Sequence, residues 1–161
     1  MGHLEHTLNL IRKEGEFMTG KEYLIAVQDK DKEITAQKEY IETLRSVLES
    51  ISIRIDSERV QSTSDPDKFG KIFAQIDEEE KKLERMQGDF LMYKLKAVSE
   101  IRRVHTEKHR ILLYERYIHY KSFKIIAGLM NYSYDYVLEL HGNALLEFEE
   151  MNPVLFGQIP C

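Results

Sequence analysis

The chain has 161 residues, 32% of them charged and 10% aromatic, with no Trp, eight Gly, three Pro and a formal net charge of -5. That length suits one ordinary domain, or one extended helical module with a small globular head, and it excludes two full enzyme domains. Many charges with sparse, bunched Gly and Pro favour long solvated helices over sheet, so an all-α fold is expected.

No apolar run reaches the roughly 18 to 20 residues needed to span a bilayer. The N-terminal stretch MGHLEHTLNLIRKEGEF lacks the charged, apolar and small-residue blocks of a signal peptide. Met1-Gly2 is followed by Glu5 and His6, where a myristoylation signal wants Ser or Thr. A cytoplasmic protein without a membrane partner is expected. The one cysteine, Cys161, is a tail residue, which excludes both an intrachain disulfide framework and a cysteine zinc site.

Charge is unevenly spread. Between residues 94 and 124 there are nine Lys or Arg against three Glu, a net +6; residues 125–161 carry five acids and no base, and residues 1–93 hold the remaining -6. An acidic chain thus contains one basic block.

In chain order, Val27, Ile34, Ile41 and Leu48 recur every seven residues, with Leu44 and Ile51 on the adjacent seam line and Lys30 and Gln37 interrupting it. The spacing predicts an amphipathic helix over about 20–50. Next, SISIRIDSERVQSTSDPDKFG alternates Ile51, Ile53 and Ile55 before turning to Ser, Thr, Asp and Pro, which predicts a long connection with a short extended piece, the linker proper being 51–66. Asp65 and Pro66 suit the cap and first turn of a second helix. Phe69, Ile76, Leu83, Phe90, Ala97 and Val104 repeat at seven, with Ile72, Met86 and Tyr93 beside them. That helix should run over about 66–104, on the order of 55 Å. The two stripes pair best as a long antiparallel, coiled-coil-like hairpin over 1–104, and its leftover apolar surface predicts a homodimer.

Residues 105–152 predict three short helices. The first, about 107–117, points Ile111, Leu112 and Tyr114 inward. Ser122 caps the second, which buries Phe123, Ile126, Ala127 and Met130. Asn131-Tyr132 forms the turn, and Ser133 caps a third helix whose apolar stripe is Tyr136, Val137, Leu140, Ala144, Leu145 and Phe148; of the nearby tyrosines, Tyr136 reads as core and Tyr134 as exposed. Asn152-Pro153 ends it, and 153–161 is a tail that either packs back or frays.

The stretch YERYIHYKSFKIIAGLMNYSYDYVLELHGNAL resembles the helix-turn-helix of sigma factor region 4 as it recurs in small late-gene transcription regulators of phages of Gram-positive bacteria, the RinA, ArpU and LtrC kind. The likeness rests on Tyr114, Arg116, Tyr117, Ser122, Ile126, Ala127, Met130, Tyr132, Ser133, Val137, Leu140, His141, Ala144 and Leu145. RVQSTSDPDKFGKIF also resembles that family's linker, and together these stretches span most of residues 21–150. The resemblance implies an activator of a phage late operon that binds promoter DNA and helps host RNA polymerase engage it, with a satellite-encoded inhibitor protein as a further candidate partner. The chain departs from the pattern in its third helix: relatives commonly carry Arg or Lys there, and here the outward stretch has Leu138, Glu139 and Asn143.

Phosphate attraction and base choice need not come from one helix. Base contacts would fall to Ser133, Tyr134, Asp135, Glu139 and Asn143, since Asn pairs adenine, Asp and Glu accept from cytosine N4 and an aromatic ring meets a thymine methyl. The backbone grip would fall to Arg110, Arg116, Lys121 and Lys124, with His109 and His119 helping when protonated. The dimer or partner seam is Val27, Ile34, Ile41, Leu48, Phe69, Ile76, Leu83 and Phe90. The basic block reads equally as the solvated face of a helix.

HTEKH places His105 and His109 at metal-ligand spacing but offers no third ligand, and HLEH at the N-terminus is an exposed pair, so no metal is expected. There is no Gly-rich phosphate loop, G-x-S-x-G or Cys/His couple. The chain is therefore read as a non-enzyme without cofactors. The rival reading is a protein-binding adaptor that keeps the fold without reading DNA, its acidic third helix docking on a basic protein surface.

Overall fold

The computed structural model describes residues 12–13, 16–57 and 66–157. Apart from a two-residue antiparallel pairing of Arg12–Lys13 with Glu16–Phe17, the regular structure among these residues is helical: α1 Gly20–Ser57, α2 Pro66–Ile101, α3 Glu107–Tyr117, α4 Phe123–Met130 and α5 Tyr134–Met151. No helix among the described residues is long and apolar enough to cross a membrane. Asp65, the His pair in HLEH, the Met1-Gly2 start and Cys161 lie outside the described residues.

Helix α1 opens on a reciprocal cap. The Thr19 N–H donates to Glu22 Oε2 at 2.9 Å, and the Glu22 N–H donates to Thr19 Oγ1 at 3.3 Å. Its interior hydroxyls do not compete with the helix, because Thr35, Thr43, Ser46 and Ser50 donate to carbonyls four residues back. The predicted extended piece at Ile51, Ile53 and Ile55 is helical instead, and α1 continues through it to Ser57. Once a helix is running, each further residue gains one hydrogen bond, which outweighs a three-residue alternation. Ile51, seven residues after Leu44, also fits the helical period.

The end of the second seven-residue stripe predicts a boundary after Val104. Contacts divide the chain into two compact units, Lys30–Leu91 and the pair Met1–Asp29 with Met92–Cys161.

In Lys30–Leu91 the two helices meet along one stripe each. Ile34, Ile41 and Ile76 are buried, Leu48, Phe69, Leu83 and Phe90 half-buried. Gln37 sits on this stripe as a buried polar residue, and its amide donates to Glu79 Oε2 at 2.7 Å. A paired amide in an apolar seam is the kind of contact that sets register.

In the other unit, Tyr23, Leu24 and Val27 of α1 and Tyr93, Ala97 and Ile101 of α2 are buried. The Tyr93 hydroxyl donates to the Tyr23 carbonyl at 2.9 Å, and the Tyr23 ring stacks on Phe148 at 6.2 Å. The chain after α5 turns back so that Phe156 is buried edge-on to Tyr23. Helix α2 ends three residues before Val104, which lies buried in the turn to α3.

The last three helices share a core of Leu112, Ile126, Ala127, Val137 and Leu140, with Phe123 and Met130 packed against it. Two predicted positions are corrected. Ile111 is exposed and Leu113 takes the inward place, because burial follows where α5 crosses α3 and not the apolar run itself. Tyr136 is exposed and not core: its hydroxyl accepts from Lys108 Nζ at 2.9 Å and its ring packs edge-on against Tyr132. A tyrosine with one wet end is stable at such a margin.

Candidate nucleic-acid interface

Helices α4 and α5 are joined by a turn that the local sequence dictates. Asn131 adopts the left-handed conformation, φ 55°, which Asn tolerates better than most residues. The Tyr132 N–H donates to the Ala127 carbonyl and the Asn131 N–H to the Gly128 carbonyl, so the end of α4 closes as a Schellman turn. Ser122 caps α4 by accepting from the Ile125 N–H, and Ser133 caps α5 by accepting from the Tyr136 N–H at 3.2 Å. Each cap leaves the first residues of its helix at the surface.

All five predicted base-contact residues are exposed. Asp135, Glu139 and Asn143 lie four residues apart and form one outward stripe, while Tyr134 stands to its side and Ser133 is held at the cap. The same stripe continues through Leu146 to Glu150, with Leu138 beside it, and contains no cation.

The predicted phosphate contacts divide. Arg110 is committed locally: its Nη1 donates to the carbonyls of Val104 at 2.8 Å and His105 at 3.1 Å, closing the turn between α2 and α3. The other three meet at the corner between α3 and α4. Arg116 Nη1 donates to the Lys121 carbonyl at 2.9 Å, and its guanidinium lies over the Phe123 ring at 4.6 Å. Lys121 Nζ pairs with Glu115 Oε2 at 2.5 Å and holds that carboxyl below its ordinary range. Lys124 is exposed.

Behind this corner His141 joins the three helices. Its Nε2 shares a hydrogen bond with the Tyr117 hydroxyl at 2.8 Å, and its ring meets Phe123 edge-on at 4.8 Å. Burial, helped by the charges of Lys21 and Arg116, lowers its pKa to about 4, so the imidazole is neutral at pH 7. Burial also raises the Tyr117 hydroxyl to about 12. The half-buried His141 thus ties α3, α4 and α5 together at the edge of their core.

The acidic end of α5 has a use that sequence reasoning does not single out. Glu147 Oε1 accepts from the N–H groups of His105 and Thr106, both at 2.9 Å, and Oε2 takes His109 Nδ1. This carboxylate caps α3 from another helix, since Thr106 makes no side-chain cap of its own. Burial opposes its ionisation, but these donors outweigh it and bring the pKa down to about 2. Glu149 does the same for α1, accepting from the Gly20 N–H at 2.6 Å. The approach is so close that a Cβ at Gly20 would lie 2.8 Å from Glu149 Cγ. Acids in the last turn of a helix oppose its dipole; here each also serves the N-terminus of a neighbour. His109 is therefore engaged, and among the described residues no group of three ligands is placed for a metal ion. His119 lies on Glu115.

No protein-family model matches the chain, and neither a curated protein nor a solved structure matches it.

Proposed function

We propose that the chain is a phage-encoded transcriptional activator of late genes. A sigma-region-4-like head of α3 to α5 binds promoter DNA, and the paired helices serve dimerisation or contact with host RNA polymerase. The observation that carries this reading is the two capped helices around the left-handed Asn131, which leave Ser133, Tyr134 and Asp135 outward at the start of the second helix, where helix-turn-helix proteins meet base edges, with Glu139 and Asn143 exposed further along it. Catalysis, a metal and a cofactor have no part in it. With no Lys or Arg on the reading helix, affinity from one copy is weak and salt-sensitive, and gains from a second copy or from polymerase held alongside.

Fluorescence anisotropy with the late promoter and a scrambled duplex, over a salt series, tests the reading. Tighter binding to the promoter than to the scrambled duplex is expected; equal binding or none at all overturns it.

A second reading is favoured by the stripe itself. Asp135, Glu139 and Glu150 with exposed Leu138 and Leu146 suit a basic, apolar protein surface better than a phosphate backbone. Under that adaptor reading Glu139→Lys abolishes a protein interaction and leaves DNA untouched.

A further inference from the structure

We propose that a second copy of this chain docks on the outward face of α5. It lays the exposed end of its α2 antiparallel along that helix, so that Leu95, Ser99 and Arg102 of one copy meet Leu146, Gly142 and Glu139 of the other. The inference does not rest on the DNA-binding reading. It concerns the second half of α5 and, of the base-contact candidates, covers Glu139 and borders Asn143.

The two faces carry the same spacing in opposite order. On α2, Ser99 follows Leu95 by four residues and Arg102 follows Ser99 by three; on α5, Gly142 precedes Leu146 by four and Glu139 precedes Gly142 by three. All six residues are exposed. Steps of three and four keep each set on one side of its helix. Although α2 ends at Ile101, the Arg102 N–H still donates to the Val98 carbonyl at 3.1 Å, which holds Arg102 on the helical row. Laid antiparallel, the two sets bring leucine to leucine, small residue to small residue and guanidinium to carboxylate in one alignment.

Each match answers something that a single copy leaves open. Leu95 and Leu146 are 56% and 61% exposed, while both helices bury other apolar residues fully. Covering these leucines removes apolar surface from water. Between them Ser99 and Gly142 leave room: a Cβ at Gly142 would meet nothing within 4 Å, so a partner helix can approach closely there. Arg102 and Glu139 have no side-chain partner among the described residues. Their neighbours are committed, since Lys96 pairs with Glu100, and Glu147 and Glu149 serve the starts of other helices. Helix α5 has no Lys or Arg, so its outward face selects a basic, apolar partner, and this chain presents one in matching register.

The experiment is sedimentation equilibrium of the full chain over a concentration series, with thermal midpoints from circular dichroism as the check on folding. Wild-type protein is expected to self-associate. Arg102→Glu and Glu139→Arg each set like charges face to face and weaken association roughly tenfold, and the two changes together restore it. Gly142→Gln fills the gap at an exposed helix position; it weakens association while the midpoint stays or rises, because glycine is the poorer helix former. Association through the paired helices of Lys30–Leu91 alone would leave all these variants at wild-type strength, and that result overturns the proposal. So does a wild-type protein that stays monomeric at on the order of 100 μM, or a charge-reversed double variant that associates no better than the singles.

Discussion

The paired helices of Lys30–Leu91 and the three helices α3 to α5 use charge in opposite ways. In the first region Arg45 spans from Glu42 at 2.6 Å to Glu80 at 2.5 Å, and all three side chains are well exposed to water. Lys81 with Asp77 is similarly wet. Such pairs exchange one hydrated state for another and decide little. In the second region Glu147 and Arg110 satisfy backbone groups of the turn into α3, and the half-buried His141 is held neutral. The lesson concerns the basic block. Much of it is internal scaffolding, so a net +6 in the sequence overstates what a nucleic acid would meet.

The largest effect that sharpens this contrast comes from the core. Phe148 is fully buried against Tyr23 and Phe156, and Phe148→Ala should cost about 3–5 kcal/mol, seen as a large fall in the urea midpoint. A loss under about 1 kcal/mol would mean that the α1–α5 packing is not cooperative with the rest.

Acid comes next. The folded pKa of His141, about 4, lies below its ordinary 6.5, so the unfolded chain takes up the proton first as pH falls. Stability from this residue is complete above pH 6.5 and erodes down to about 4. Glu147, at about 2 against 4.5, then withdraws its contribution between pH 4.5 and 2. Thermal midpoints measured at pH 7, 5.5 and 4 should fall in that order, and His141→Asn should flatten the decline between 6.5 and 4. Glu100 acts in the other direction: burial raises its carboxyl, so protonation of the folded form offsets part of the loss.

The smallest effect is expected in the paired helices. Arg45→Ala should leave the thermal midpoint unmoved within error, since both partners remain solvated. A clear drop there would make the exposed pairs a network and erase the distinction between the regions.

Where a short signal carries its own physics, it was readable in advance. Ser122, Ser133 and Asn131 act within three or four residues, so the caps and turn of α4 and α5 followed from residue type and spacing. The Thr19-x-x-Glu22 box that opens α1 is equally local, but the seven-residue stripe did not single it out. The failures were also physical. Ile51, Ile53 and Ile55 alternate like a strand, but a helix already formed runs through them; Ile111 and Leu113 are equally apolar, and only the crossing of α5 chose between them.

By itself the sequence determined the helices, their seven-residue stripes and the capped turn, because helix periodicity and capping are set by neighbours along the chain. The tertiary structure alone decided which charges are at liberty. Glu147 caps α3 from 41 residues away in sequence, Glu149 reaches Gly20 across 129, and Lys94 meets Tyr120 only because the chain doubles back. Hydrogen bonds and ion pairs form between groups close in space, and for these residues folding, not spacing, brings them within reach.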